Sequence, residues 1–237
     1  PLPAIPTISA GTSTTFCQGG SVTLTSTPAT SYLWSNGSTL QSISVNSSGT
    51  YSVIITNANG CTASSAGTIV TVNPLPATPV ISAGGPTTFC QGGSVTLTST
   101  SGTTYLWNTG ATTQAISAIA SGSYTVRVTN ANGCSATSSS TTVIMNPLPA
   151  VSLAPFSSVC NTNGAFALTG GSPAGGSYSG TGVSGGMFDP GVAGVGTITI
   201  TYSYSDGNGC TNSIEQSLQV TNCSGCTASI TPAGSTT

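Results

Sequence analysis

The chain has 237 residues, with one Lys or Arg, three Asp or Glu, no His and a net charge of −2 at pH 7. Its only charged side chains are Arg127, Asp189, Asp206 and Glu215, so no general acid–base set and no Ser-His-Asp or Cys-His arrangement can be assembled, and the chain reads as non-enzymatic. The same shortage excludes an oxygen-rich calcium cage over the first two thirds and a basic footprint for nucleic acid, and no apolar run approaches the roughly 18 to 20 residues of a membrane-spanning helix.

Self-similarity organises everything else. Residues 1–73, from "PLPAIPTISAGTSTTFCQGGSVTLTST", recur as residues 74–146, from "PLPATPVISAGGPTTFCQGGSVTLTST", with about two thirds of aligned positions identical and no gap. A diverged third unit spans residues 147–222, opening at "NPLPAVSLAPFSSVCNTNG". Residues 223–237 form a junction and the start of a further, truncated unit, because "ASITPAGSTT" echoes "TISAGTSTT". No signal peptide opens the sequence, which reads as a mature or internal piece of a longer array.

In the first unit the apolar residues alternate. Val22 and Leu24 share a face of "GSVTLTST", Tyr32 and Trp34 of "SYLWSN", Ile43 and Val45 of "QSISV", and Tyr51, Val53 and Ile55 of "GTYSVIITN". Then "TNANGC" reads as a tight Asn-Gly hairpin turn that sets Cys61 at the start of the last strand, "TIVTV", with Val70 and Val72 inward. Gly, Pro, Asn and Ser clusters punctuate these runs every eight to twelve residues, the rhythm of an antiparallel sandwich with short turns.

The second unit tests the facing, because the two faces of a strand tolerate different exchanges. Outward Ile54 is replaced by Arg127, inward Val53 remains Val126, and Val72 becomes Met145. Between units, "NPLPATP" and "NPLPA" read as short, stiff polyproline-like connections. In the third unit Ile198, Ile200, Tyr202 and Tyr204 share one face while Thr197, Thr199, Thr201 and Ser203 line the other. That Thr row fits an ordinary solvated strand face better than an ice- or mineral-binding one.

Four aromatics, Trp34, Trp107, Tyr51 and Tyr124, are assigned to sandwich cores. The cysteines carry the main structural expectation. With no His and almost no acid, thiolate catalysis and zinc binding lack support, and pairing within each unit is the economical scheme: Cys17 with Cys61, Cys90 with Cys134, Cys160 with Cys210. Cys223 and Cys226, in "NCSGC", are expected to close a small ring at the junction, with pairing to a neighbouring unit or chain as the alternative. The N-x-[ST] matches at Asn36, Asn46 and Asn222 carry little weight in so Asn-rich a chain. The expected fold is thus all-β: a tandem array of small immunoglobulin-like antiparallel sandwiches, one disulfide per unit, joined by short Pro-rich linkers.

The strings "FCQGGSVTLTS", "YLWSNGST", "GTYSVIITNANGC" and "GGSYSGTGVSGGMFDPGVAGVGTITITYSYSDGNGC" resemble the immunoglobulin-like and PKD-like repeats of very large surface proteins of Bacteroidetes bacteria. That resemblance implies export by a type IX system and a place in a cell-attached adhesive fibre or gliding-motility filament that attaches to surfaces or grips other cells. Composition adds an expectation of its own: a surface nearly without charge lacks self-repulsion, which favours association of several chains into a filament. A carbohydrate-binding module array engaging surface glycans is the rival reading, and exposed coplanar aromatics would favour it. No cofactor, metal, nucleic acid or membrane insertion is expected, and the location is extracellular.

Overall fold

The computed structural model describes residues 1–223 and is almost entirely β. The first repeat shows how the alternating sequence builds two layers. Its strands are β1 (Ile8–Ala10), β2 (Thr15–Cys17), β3 (Val22–Ser26), β4 (Ser31–Trp34), β5 (Ser42–Val45), β6 (Gly49–Tyr51), β7 (Val53–Thr56), β8 (Thr62–Ser64) and β9 (Thr68–Asn73). One sheet has the order β1-β3-β5 and is antiparallel. The other is assembled from β4-β7-β8 and β2-β9-β6, since β6 runs into β7 across Ser52 alone and β8 into β9 across a short break. At that break Ser65 replaces the ladder: its N–H donates to the Val53 carbonyl at 2.9 Å, and its hydroxyl accepts from the Val53 N–H at 3.0 Å.

Strand β2 lies parallel to β9, pairing Thr15 with Thr71, Phe16 with Val72 and Cys17 with Asn73. This contact follows from chain order. The strand that opens the second sheet runs in the same direction as the strand that closes the repeat, which makes the layers an immunoglobulin-like β-sandwich.

Period two places the core. Val22, Leu24, Ile43 and Val45 from one sheet meet Trp34, Tyr51, Val53, Ile55 and Val70 from the other in a single buried cluster. The Trp34 indole N–H donates to the Leu40 carbonyl at 2.7 Å, and the Tyr51 hydroxyl donates back to the Ser47 carbonyl at 3.2 Å, so both polar ends are satisfied within the core. Outward side chains differ in kind: Leu33 and Ile54, directly paired across β4 and β7, are exposed.

The second repeat lays down the same nine strands, from Ile81–Ala83 to Thr141–Asn146. Val95, Leu97, Trp107, Ala118, Tyr124, Val126 and Val128 are buried in it, and Trp107 donates to the Thr113 carbonyl at 2.9 Å. Arg127 stands where Ile54 stands, on the outer face of its strand.

The third repeat keeps the layered logic with different parts. A long hairpin, Gly196–Ser205 against Thr211–Thr221, carries Val159–Cys160 on one edge, parallel, and Ser177–Ser179 on the other. With no Trp available, its core gathers Leu153, Leu168, Phe188, Ile200, Tyr202, Leu218 and Val220. The Tyr202 hydroxyl accepts from the Gly176 N–H at 2.8 Å and donates to the Pro173 carbonyl. A four-residue helix, Pro190–Ala193, is capped by Asp189, whose Oδ1 accepts from Gly191 N–H at 2.9 Å and Val192 N–H at 3.2 Å.

By packing, the chain divides into two compact units. One comprises Pro1–Gly85, Val95–Ala118 and Gly122–Thr142; the other comprises Pro86–Ser94, Ile119–Ser121 and the chain from Val143 onward. The division does not follow the repeats: Thr88–Cys90 of the second repeat belongs to the second compact unit, where it pairs in parallel with Ile144–Asn146.

Core and surface positions should therefore respond differently. Trp34→Ala empties a fully buried site and removes the bond to Leu40, and should cost about 3 to 5 kcal/mol in chemical denaturation. Ile54→Arg, which copies the second repeat, should stay within about 0.5 kcal/mol of the parent. Comparable losses for the two variants would contradict the facing.

Candidate functional site

The cysteine-bearing turns are the one constellation that recurs in all three repeats, and each is built by its first residue. In "NANGC" the Asn57 side-chain Oδ1 accepts from the backbone N–H of Asn59 and of Cys61, both at 3.0 Å. Asn130 repeats this with Asn132 and Cys134 at 3.0 Å, and Asp206 with Asn208 and Cys210 at 2.9 Å. Asn and Asp serve equally because only an acceptor oxygen is needed.

The tight Asn-Gly hairpin turn expected from sequence is present, joining β7 to β8 through a loop of three residues. Asn57 and Cys61 face each other, with the Asn57 N–H donating to the Cys61 carbonyl at 3.0 Å, and three residues lie between them. Gly60 sits at φ +76 while among the described residues no non-glycine residue has positive φ, so the glycine supplies the left-handed position that ends a three-residue hairpin loop. The cysteine does not open the last strand: it precedes β8, and β9 follows.

The pairing of the cysteines overturns the within-repeat scheme. Cys17 is bonded to Cys134, Cys90 to Cys210 and Cys160 to Cys223, with Cα separations of 5.6, 5.5 and 5.5 Å. Cys61 carries a free thiol. The proposed bridges Cys17–Cys61, Cys90–Cys134 and Cys160–Cys210 are absent, and so is the Cys223–Cys226 ring; Cys226 itself lies outside the described residues.

Strand length explains the correction. Cys17 is registered on Asn73, at the end where the chain leaves the first repeat. Cys61 belongs to the turn at the opposite end, where the Asn57 side-chain amide donates to the Pro1 carbonyl at 3.0 Å. Twelve residues of nearly extended chain separate Cys61 from Asn73, roughly 40 Å at 3.3 Å per residue, whereas a disulfide needs Cα atoms within about 7 Å. The cysteine closing each parallel strand, the head cysteine, is therefore out of reach of its own repeat's turn.

It is well placed for the next one. The chain passes from Asn73, beside Cys17, directly to Pro74, whose carbonyl accepts from the Asn130 side-chain amide at 3.1 Å. Asn130 thus holds two things with one side chain: its oxygen fixes the Cys134 N–H, and its nitrogen fixes the segment that follows Cys17. In the third repeat Asp206 has no amide to offer, and Asn212 donates to the Pro149 carbonyl at 2.9 Å instead. Cys90, registered on Asn146, reaches Cys210 there. Cys160, registered on Thr221, closes on Cys223 two residues further along.

No protein-family model matches the sequence, and no curated protein matches it. Among solved structures, the chain resembles a Ca2+-stabilized adhesin that helps an Antarctic bacterium reach out and bind ice (15% identity, 92% of this chain and 74% of that one, TM-score 0.44). It also resembles a 1.5-MDa bacterial ice-binding adhesin (16%, 93% and 98%, TM-score 0.34) and the fibronectin(III)-like modules of Clostridium thermocellum CbhA (14%, 60% and 95%, TM-score 0.33). Likeness at these scores establishes no shared role.

Beside the turns lie two equivalent shallow clefts, one lined by Pro3, Ile5, Pro28, Ile55 and Asn57, the other by Pro76, Thr78, Ser101, Val128 and Asn130. Neither contains an aromatic or charged side chain. Trp34, Trp107, Tyr51 and Tyr124 are all buried, and none of the chain's aromatic residues is exposed. Among the described residues, no group of three or more His, Cys, Asp or Glu is gathered as a metal site would require, and every buried side-chain nitrogen and oxygen has a partner.

The two functions of Asn130 can be separated. Asn130→Asp keeps the turn and loses the bond to Pro74, and should cost about 1 kcal/mol; Asn130→Ala loses both and should cost about 2 to 3 kcal/mol. The pairing itself is read by mass spectrometry of a non-reduced chymotryptic digest, which should yield Cys17–Cys134 and Cys90–Cys210 peptides; a dominant Cys17–Cys61 peptide would refute the arrangement.

Proposed function

We propose that the chain is a cross-strapped structural segment of a long extracellular adhesive protein, non-catalytic in itself, that transmits tension between a cell and what it grips. The observation that supports this most directly is the pattern of bridges. Cys17–Cys134 spans 117 residues and Cys90–Cys210 spans 120, and the two loops overlap. A staple inside each repeat would protect that repeat alone; an overlapping strap ties successive repeats to each other covalently.

Disulfides of this number fit an oxidising, extracellular location. Each loop of this size contributes about 4 to 5 kcal/mol in the chain-entropy model, although the overlap keeps the two contributions from adding in full. Scarce Lys and Arg leave trypsin-like proteases almost nothing to cut, which suits an exposed fibre. The sequence resemblance to giant Bacteroidetes surface repeats supports the finer reading of a cell-attached, type IX-exported fibre used in adhesion or gliding. The nearly uncharged surface supports side-by-side association of chains. The glycan-binding alternative gains nothing from the structure, because the exposed aromatic platforms it calls for are absent.

Tension has a measurable signature here. The shortest covalent route from Pro1 to Cys223 crosses at Cys17–Cys134 and again at Cys160–Cys223. It leaves roughly 40 residues of extensible backbone out of about 220, or roughly 150 Å against 800 Å at 3.6 Å per residue. Single-molecule pulling between these ends should show the short limit under oxidising conditions and the long one after reduction. An oxidised chain that extends several hundred ångströms would remove the load-bearing reading.

A further inference from the structure

We propose that Cys61 is the acceptor thiol of one more strap, taking the head cysteine of a further repeat of this kind placed ahead of Pro1. The proposal rests on the cross-repeat bridging and is independent of the adhesive reading. Three turns share one construction, with the first side chain clamping the cysteine N–H at 2.9 to 3.0 Å and a left-handed glycine before the cysteine. Two of the three, at Cys134 and Cys210, are bonded to the head cysteine of the repeat before. The third, at Cys61, presents the same geometry with the thiol free.

The free cysteine also differs from the bonded ones in exposure. Cys134 and Cys210 are 1% and 0% exposed, whereas Cys61 is only partly buried. The Asn57 amide already holds the Pro1 carbonyl as Asn130 holds that of Pro74, so the segment that would carry a preceding repeat is set beside Cys61 before any bridge forms. The complementary part is present in the chain's own sequence: "TFCQGG" ends a strand parallel to the one that closes its repeat, and both times its cysteine is bonded to the repeat that follows.

Bond formation removes two electrons and two protons from the two thiols. The oxidant is a low-molecular-weight disulfide such as oxidised glutathione: the head thiolate attacks it, releasing one reduced thiol, and the Cys61 thiolate then attacks the mixed disulfide, releasing the second.

The test uses the full chain carrying Cys226→Ser, with and without a further copy of residues 74–146 joined ahead of Pro1, which recreates the "NPLPA" junction. In the added copy the turn cysteine is replaced by serine, leaving its head cysteine as the only new thiol. After oxidation in a glutathione buffer, the unextended chain should label with maleimide at Cys61, and the extended chain should lose that labelling and yield a peptide joining Cys61 to the added head cysteine. Adding Cys61→Ser to the extended chain should restore one labelled thiol, now on the added copy. Persistent labelling of Cys61 in an extended chain that retains Cys17–Cys134 overturns the proposal, as does a Cys61–Cys61 dimer. A Cys61–Cys226 bond in the unsubstituted chain overturns it equally. Absence of Cys17–Cys134 from the unextended chain would instead overturn the cross-repeat bridging on which it stands.

Discussion

A disulfide reaches across about 6 Å, whereas the nearly extended run from the turn cysteine to the end of each repeat covers roughly 40 Å. That mismatch governs the covalent architecture. Because Cys17 lies beside Asn73 and Cys61 lies by Pro1, the two cysteines of a repeat occupy opposite ends of it, and neither can satisfy the other. Each must look outward, and the chain itself carries the next repeat's turn to the head cysteine by way of Pro74. The sandwich acts as a spacer that keeps its own thiols apart.

What makes the turn reliable is that backbone geometry is fixed before the sulfur is used. One acceptor oxygen takes two N–H groups, and a glycine takes the single left-handed position, so the cysteine is aimed by local hydrogen bonds that need no partner. Cys61 shows this directly, since its N–H is held at 3.0 Å with the thiol still free. Preorganisation of this kind lowers the ordering cost of closing a loop of more than a hundred residues. It also explains why Asp206 can stand for Asn: the oxygen aims the cysteine, and the amide's second bond is transferred to Asn212.

Much of the fold was legible because alternation is a local property. Val53 and Ile54 differ in burial as their parity requires, and the exchange of Ile54 for Arg127 already marked the outer face. The buried Trp34 and Tyr51 follow from the same period. The disulfide pairing was not legible by counting, since equal spacings of Cys17 to Cys61 and Cys90 to Cys134 say nothing about direction. The missing information was topological: "TFC" runs parallel to "TVN", which sends its cysteine to the trailing end. An immunoglobulin-like strand order implies that direction, so the signal was present in the fold class and was lost to the shorter sequence separation. The hairpin turn was legible from "NG", while its length of three residues is set by the pairing of Asn57 with Cys61.

Each repeat carries an acceptor turn at its leading end and a head cysteine at its trailing end, which is a head-to-tail complementarity of the kind that can be extended one unit at a time. The segments that form the clasp, "TTFCQGG", "TNANGC" and "NPLPA", are identical letter for letter in the first two repeats, while exposed strand positions such as Ile54 and Arg127 differ. The third repeat departs where the relay is handed on. It accepts from Cys90 through Cys210, but its own head segment reads "SVCNTNG", and Cys160 closes on Cys223 in the junction directly after the repeat. Among the described residues Cys160 thus differs from Cys17 and Cys90, since its bond holds the exit of its own repeat instead of tying that repeat to another.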